Sequence, residues 1–174
     1  MGALALGHGR YLREGCDGRE PRALHSPPMS TSARSAHWSF RLAAEFGHRD
    51  VTPEVESLVD QSGVTTGAVV VAVTGSTAAI TTIEYESGAL ADLRRALDAL
   101  APANDDYAHN ARWGDGNGFS HVRSALLKTS VSLPVAQGRL VLGTWQQIVV
   151  INLDNRARER EVVLAADVQQ EGRD

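Results

Sequence analysis

The chain has 174 residues, 43% of them hydrophobic, which suits one globular domain that can bury a sizeable core without a disulfide. Its net charge is −4 and its 17 basic residues form no stripe, which argues against a nucleic-acid partner. A single cysteine excludes an intrachain disulfide, and no apolar run approaches the roughly 18 residues of a membrane-spanning helix. We therefore expect a cytoplasmic protein that binds neither nucleic acid nor membrane.

The N-terminal region differs in composition from the rest. Residues 1–36 are rich in Gly, Arg, Ser, His and Pro and show no periodicity, so we predict a disordered extension. It contains Cys16 and also Met29, a candidate start after Pro27-Pro28. We expect the folded domain to span residues 37–167, with 168–174 as a flexible tail.

The first predicted elements are a strand, a helix and a buried strand. Residues 37–46 partly alternate in polarity, which is typical of a strand. Thr52 and Pro53 favour a helix start with Thr52 as the cap, and Gly63 favours its end. Residues 67–73 form a continuous apolar run, which predicts a strand covered on both faces.

The middle of the chain predicts a strand, a helix and a long loop. Residues 79–85 are of β type, and leucines at helical spacing follow, at 90, 93, 97 and 100. Residues 102–118 then hold aromatics and glycines, and a loop of this length inside a domain is usually functional or disordered. Its aromatic residues favour function.

The last third turns mostly to β structure. Residues 120–127 predict a short helix, and four short strands follow, at 131–135, 139–142, 147–153 and 161–165. Short links between consecutive strands imply antiparallel pairing. Because helices and strands are partly segregated, we predict a compact single α+β domain with largely antiparallel or mixed sheets and a few helices.

Two histidines flank the glycine-rich loop and are candidate metal ligands. Neutral imidazole is the commonest metal ligand, and Asp115 or Asn117 can add an oxygen near His109 and His121. Their spacing matches no standard zinc pattern. The alternative is a loop histidine and a capping histidine, each held by hydrogen bonds.

A turn of small residues follows the buried strand. Gly75, Ser76 and Thr77 offer backbone N–H groups and two hydroxyls that can hold an anion. No Walker lysine is present, and the alternative is a tight turn or bulge that needs Gly75.

Two further segments carry candidate ligand-binding groups. Glu84 is either a surface residue of a half-exposed strand or a functional acid. Trp145 can stack on a flat ligand, and Thr144 and Gln146 can hydrogen-bond to one, although tryptophan is also a common core residue.

Three arginines alternate along the segment that leads into the last strand. Arg156, Arg158 and Arg160 are candidates for an anion clamp. A solvated sheet edge guarded by charge is the favoured interpretation.

Taken together, these segments resemble the YjbQ-like family. The resemblance covers about residues 40–165 and rests on four motif regions: GSTAAITTIEYE at 75–86, YAHN at 107–110, WGDGNG through Ser120-His121, and SVSLPVAQGRLVLGTWQQI at 130–148. It implies a compact α+β fold, a homotrimer and a weak, secondary thiamine-phosphate synthase activity. It also strengthens the expectation of a divalent metal, zinc or similar, on His109, His121 and Asp115.

Two positions depart from the family pattern. One branch of the family has a histidine where this chain has Gly75, and the other often has a histidine where this chain has Phe119. One potential ligand is therefore missing. We expect Glu84, Asp115 or water to complete the metal shell.

The expected function is a transferase that joins a pyrimidine methyl diphosphate to a thiazole phosphate, with His121, Glu84 and His109 as catalytic residues. The alternatives are a metal-dependent phosphoester hydrolase and a non-enzymatic protein that binds a small ligand or metal. All three place the two imidazoles, the turn at residues 75–77 and Trp145 in one pocket for a small phosphorylated heterocycle.

Overall fold

The computed structural model describes residues 31–169, and residues 1–30 and 170–174 lie outside that range. Within it the chain forms, in order, β1 (Thr31–Leu42), β2 (Gly47–Asp50), α1 (Thr52–Ser62), β3 (Thr66–Val73), β4 (Ala78–Ile83), α2 (Ser87–Leu100), α3 (Ala108–Trp113), α4 (Gly118–Leu127), β5 (Ser130–Ala136), β6 (Arg139–Leu140), β7 (Gln147–Asn152) and β8 (Arg158–Gln169). The predicted α+β class is confirmed.

The strands form two antiparallel sheets. One has the order β1-β8-β3-β5-β6, and the other has the order β2-β7-β4. In the second sheet Ala78 pairs with Asn152 at one end of β4, and Ile83 pairs with Gln147 at the other. This register fixes which loops meet at each end of the small sheet.

The small sheet is buried on both faces because its strands carry apolar side chains at successive positions. Ile80, Ile148 and Val150 point into a core shared with the five-stranded sheet and α1. Val149 and Ile151 point the other way, towards leucines of α2 and α4. Alternation along a strand produces this division. Each side chain of this size contributes about 1.5–3 kcal/mol when fully buried.

The outer face of the five-stranded sheet is not covered by the described part of the chain. Val70 is 43% exposed there, and its cross-strand neighbours Ser132 and Ala165 are exposed as well. The prediction that residues 67–73 are covered on both faces is therefore wrong for a single chain. The reason is that α2 and α4 pack on the small sheet instead.

The folded domain extends beyond its predicted limits at both its N-terminal and C-terminal ends. β1 begins at Thr31, ahead of the predicted start at 37, because β8 extends to Gln169 and pairs with it along its full length. Residues 31–36 thus pair in a strand and are not a disordered extension, and β8 likewise takes in 168–169 of the predicted tail. The remainder of both predicted tails, with Cys16 and Met29, falls outside the described residues.

The first helix begins as predicted but is capped differently. Thr52 does not cap α1, since its hydroxyl accepts a 2.8 Å hydrogen bond from the backbone N–H of Ile148. The Asp50 carboxylate accepts the Thr52 N–H at 2.8 Å. Gly63 ends the helix in the left-handed conformation, as predicted.

Candidate functional site

A buried carboxylate lies where three segments of the chain meet. Asp154 is 2% exposed. Its Oδ2 accepts hydrogen bonds from Thr77 Oγ1 at 2.9 Å, Arg158 Nε at 3.0 Å and Asn117 Nδ2 at 3.4 Å. Its Oδ1 accepts the Arg156 backbone N–H at 3.0 Å. One side chain therefore joins the turn before β4, the loop before α4 and the start of β8.

These donors outweigh the cost of burial for the ionised form. Burial alone raises the pKa of Asp154, but hydrogen bonds from Thr77, Arg158 and the Arg156 backbone and the charge of Arg158 bring that pKa below its ordinary value. Asp154 is therefore a carboxylate at neutral pH.

Arg160 is the second charged residue of this buried network. It is 5% exposed. Its Nη2 donates to the backbone oxygen of Thr77 at 2.9 Å, and its Nε donates to Asn152 Oδ1 at 3.0 Å. Burial lowers the pKa of Arg160. A solvated edge, favoured from the sequence, is therefore wrong for this arginine. The reason is that from Arg160 onward the even-numbered residues of β8 face the protein interior, as Val162 and Leu164 do.

The two predicted histidines lie next to each other. His109 in α3 and His121 in α4 have ring centroids 4.4 Å apart, inclined by 52°. His109 Nε2 lies 3.4 Å from Asp115 Oδ2. Both rings are partly exposed. The Asp115 carboxylate also accepts the backbone N–H of Asn117 at 3.3 Å, which links the histidines to the Asp154 network.

The Asn155 side chain holds the loop between α3 and α4 in place. Asn155 Nδ2 donates to the backbone oxygens of Asp115, at 2.9 Å, and Gly116, at 3.3 Å. At position 118 an added Cβ would lie 2.4 Å from Cβ of Tyr107, so only glycine fits there. The long loop predicted between residues 102 and 118 is thus ordered around a short helix, in agreement with its aromatic content.

The described residues supply a limited set of metal donors. Across residues 31–169, no three His, Cys, Asp or Glu side chains are grouped so that they could hold a metal ion. Phe119, at the position of the missing histidine, is 3% exposed and packs under the Arg123 guanidinium at 4.8 Å. The nearest potential donors are therefore two adjacent imidazoles and the Asp115 carboxylate, which contacts one of them, and as arranged here they do not converge on a three-ligand site.

The remaining predicted ligand-binding residues lie at the other end of the small sheet. Thr77 precedes β4 and Glu84 follows it, so these two residues are about 20 Å apart. Glu84 lines a cleft of about 430 Å³ with Thr144 and Trp145, and the Trp145 side chain is 70% exposed. The expectation that Trp145 shares one pocket with the histidines is therefore wrong within a single chain.

Gln146, the residue after Trp145, has a structural role beside that cleft. Its Nε2 donates to Thr82 Oγ1 at 3.0 Å, and its Oε1 accepts the Gly143 N–H at 3.0 Å. Both ends of the amide are engaged within the protein. The side chain holds the turn that presents Trp145.

Sequence comparison with known proteins identifies the family of this chain. The family model described as "UPF0047 protein YjbQ-like" matches residues 37–168. This chain belongs to that family. A UPF0047 protein of Methanothermobacter thermautotrophicus is 38% identical over 111 residues, which cover 64% of this chain and 76% of that protein. One of Archaeoglobus fulgidus is 34% identical over 116 residues, covering 67% and 88%.

Solved structures of the YjbQ-like family share the fold. A YbjQ-like protein of unknown function from Sulfolobus solfataricus matches with a TM-score of 0.71 at 28% identity, over 79% of this chain and all of that one. An uncharacterised protein from Clostridium acetobutylicum matches with a TM-score of 0.69 at 30% identity, over 75% and 98%. Between residues 31 and 169, no helix is long and apolar enough to cross a bilayer.

Sequence reasoning missed the residues that organise the YjbQ-like site. From the sequence, Asp154 and Asn155 indicate only a turn between the predicted strands at 147–153 and 161–165, and Asn152 falls within the first of these strands. A signal was available, because two consecutive polar residues, Asp154 and Asn155, follow the predicted strand at 147–153 and precede alternating arginines. That pattern indicates buried charge pairing as well as a turn.

We predict that Asp154→Asn removes an acid-sensitive part of the stability. The folded pKa lies below the unfolded one, so ionised Asp154 stabilises the fold above about pH 4, and this is lost as the pH falls through the folded value. At neutral pH the substitution should cost about 3 kcal/mol, because it leaves buried arginine charge unpaired.

Urea unfolding at several pH values measures both effects. The free energy of unfolding should fall less steeply below about pH 4 in the variant than in the wild type. Asp92→Asn is the control, since Asp92 pairs with Arg95 in solvent and should leave the wild-type slope unchanged. An Asp154→Asn protein with the wild-type slope would contradict the assignment.

Proposed function

We propose that this YjbQ-like protein is a weak thiamine-phosphate synthase-like transferase that acts in the cytoplasm on phosphorylated heterocycles. The resemblance in sequence supplies the reaction. The observation that carries the proposal is the position of the adjacent His109 and His121 rings beside a buried arginine–carboxylate network. That network underlies an exposed turn of small residues at 75 and 76.

The reaction needs a site that stabilises a leaving polyanion. The thiazole nitrogen attacks the methylene carbon of the pyrimidine, a C–N bond forms, and the C–O bond to pyrophosphate breaks. Pyrophosphate departs with the electron pair of that bond. Arg158, whose side chain is 46% exposed, and Arg160 supply positive charge near the turn. Because the attacking nitrogen carries no proton, this step needs no general base.

The imidazole pair supports the metal part of the proposal. To hold a divalent cation of the zinc type, the side chains of His109, His121 and Asp115 would have to reorient so that they converge, and the open positions left by so few ligands would suit phosphate oxygens. When bound, such a cation supplies Lewis-acid stabilisation of the pyrophosphate. Without it, His109 and His121 can still donate hydrogen bonds to a phosphate group.

Glu84, Thr144 and Trp145 can act on the same substrate as the histidines only if a neighbouring subunit supplies them. Within one chain they lie about 20 Å from the turn at Thr77. We therefore keep the homotrimer as part of the proposal. The uncovered face around Val70 supports it, since an exposed sheet face of small and apolar residues suits subunit packing.

Phosphoester hydrolysis is the second candidate, favoured by one contact. The pair formed by His109 and Asp115 is partly exposed, so the same imidazole can orient a water molecule for attack on a phosphate. Generic phosphoesters, assayed with and without chelator, distinguish this activity from the transferase. Binding of phosphorylated ligands without turnover of any of them would favour the non-enzymatic alternative.

We predict that His121→Ala lowers the rate of thiamine phosphate formation roughly 10- to 100-fold, the range seen when metal-site contacts are lost. The measurement is a steady-state assay together with elemental analysis of the purified protein. His37→Ala is the matched control, because His37 lies on β1 and contacts Glu161 at 3.4 Å, outside the site. Equal rates for wild type and His121→Ala would remove His121 from the mechanism.

We predict that a variant impaired at His121 and a variant impaired at Trp145 recover part of the activity when they form a mixed oligomer. Light scattering should give three times the 18.6 kDa of one chain. If subunits share the site, Trp145→Ala and His121→Ala proteins should each be impaired, and unfolding and refolding them together should restore part of the activity. A monomer, or mixtures no more active than the average of their components, would contradict a shared site.

A further inference from the structure

One arm of the Arg160 guanidinium is left without a partner. Nε and Nη2 are engaged by Asn152 and Thr77, but Nη1 makes no hydrogen bond within residues 31–169. The fully buried unpaired side-chain atoms of that range belong to Trp38, Asn117 and Ser120, so Nη1 keeps access to solvent. A guanidinium that is otherwise buried thus presents one free NH₂ group.

That free arm faces a position with no side chain. A Cβ built on Gly75 would lie 2.9 Å from Nη1, and Gly75 has a φ of +134°, which favours glycine. The glycine therefore leaves an approach to Nη1 that any other residue would narrow.

The turn beside Nη1 has unused donors. Within the described part of the chain, the backbone N–H groups of Gly75 and Ser76 donate no hydrogen bond, and both residues are exposed. Thr77, the next residue, is fixed by Asp154 and Arg160. The turn is thus anchored at one end and free to bind at the other, as in backbone sites that hold anions.

The local charge is unbalanced. Arg158 and Arg160 both pair with the single carboxylate of Asp154, at 3.0 and 3.9 Å. Neither glutamate of this segment pairs with these arginines: Glu159 bonds to Ser39, and Glu161 bonds to His37 and to Thr74, which precedes the turn. Arg160 is the buried arginine of the two and has the longer contact with Asp154, so an external anion would complete its pairing.

We propose that Nη1 of Arg160, with the backbone of Gly75 and Ser76, binds a phosphate or pyrophosphate group. A tetrahedral anion has enough oxygens to accept from the arginine and from both N–H groups, and an arginine contact of this kind is charge-assisted. The assignment rests on the proposed function only for its role: in the transferase it is the position of the leaving pyrophosphate. Arg160 is the charged anchor that sequence reasoning placed at a solvated edge.

Calorimetric titration of the full-length protein with inorganic pyrophosphate and inorganic phosphate tests the site without any transferase substrate. The wild type should bind pyrophosphate, and Gly75→Ala and Arg160→Lys should each weaken binding at least about tenfold, the effect of losing one charge-assisted contact. Arg156→Ala is the matched control. It removes a whole arginine charge from the same segment, whereas Arg160→Lys keeps its charge, but the exposed Arg156 side chain makes no hydrogen bond within the described residues, so affinity should stay within about twofold.

Wild-type crystals soaked in pyrophosphate provide a readout that does not depend on a variant folding. An anion oxygen should lie within hydrogen-bond distance of Nη1. No binding by the wild type, unchanged affinity in a folded Gly75→Ala protein, or an equal loss in Arg156→Ala would overturn the proposal. If pyrophosphate binds as described but no thiamine phosphate forms, the anion site stands and the transferase assignment fails.

Discussion

In this YjbQ-like protein, the carboxylate of Asp154 and the two arginines beside it hold together the segments at the Thr77 end of the small sheet. The turn at Thr77, the loop at Asn117 and the start of β8 are far apart in sequence, and each donates a hydrogen bond or ion pair to this one side chain. A buried carboxylate is costly unless its oxygens are fully engaged. The hydrogen bonds to Asp154 therefore fix the three segments relative to one another. The histidines are linked to them through Asp115, which contacts both Asn117 and His109.

The division of the small sheet into two ends follows from strand register. β4 and β7 pair along their full length. The turn that precedes β4 and the residues that follow it therefore lie at opposite ends of the small sheet. The His109–His121 pair and the Asp154 network lie at the Thr77 end, and an exposed tryptophan with carboxylates lies at the Glu84 end. The proposed transferase needs both a ring-binding surface and an anion-binding surface, which is why our proposal links assembly to catalysis.

Local patterns predicted the fold well, and long-range pairing was harder to predict. The leucine spacing of α2, the apolar run of β3 and Gly63 at the end of α1 are each encoded within about ten residues, and the structure has them. The proximity of His109 and His121 was also predicted, because both flank one loop. Burial of Arg160 and the remoteness of Trp145 could not be, since they depend on which face of β8 points inward and on the β4–β7 register. Neither is readable from a single sequence.

A double-mutant cycle between Asp154→Asn and Thr77→Val measures most directly whether the buried carboxylate holds the site together. Thr77→Val removes the donor of a buried hydrogen bond and should cost about 1–3 kcal/mol in urea unfolding, and Asp154→Asn removes the buried charge and should cost about 3 kcal/mol. Because the two groups are in contact, our account predicts a coupling energy of about 1 kcal/mol or more. Costs that add to within about 0.3 kcal/mol would show that Asp154 does not hold the turn, and would contradict the account.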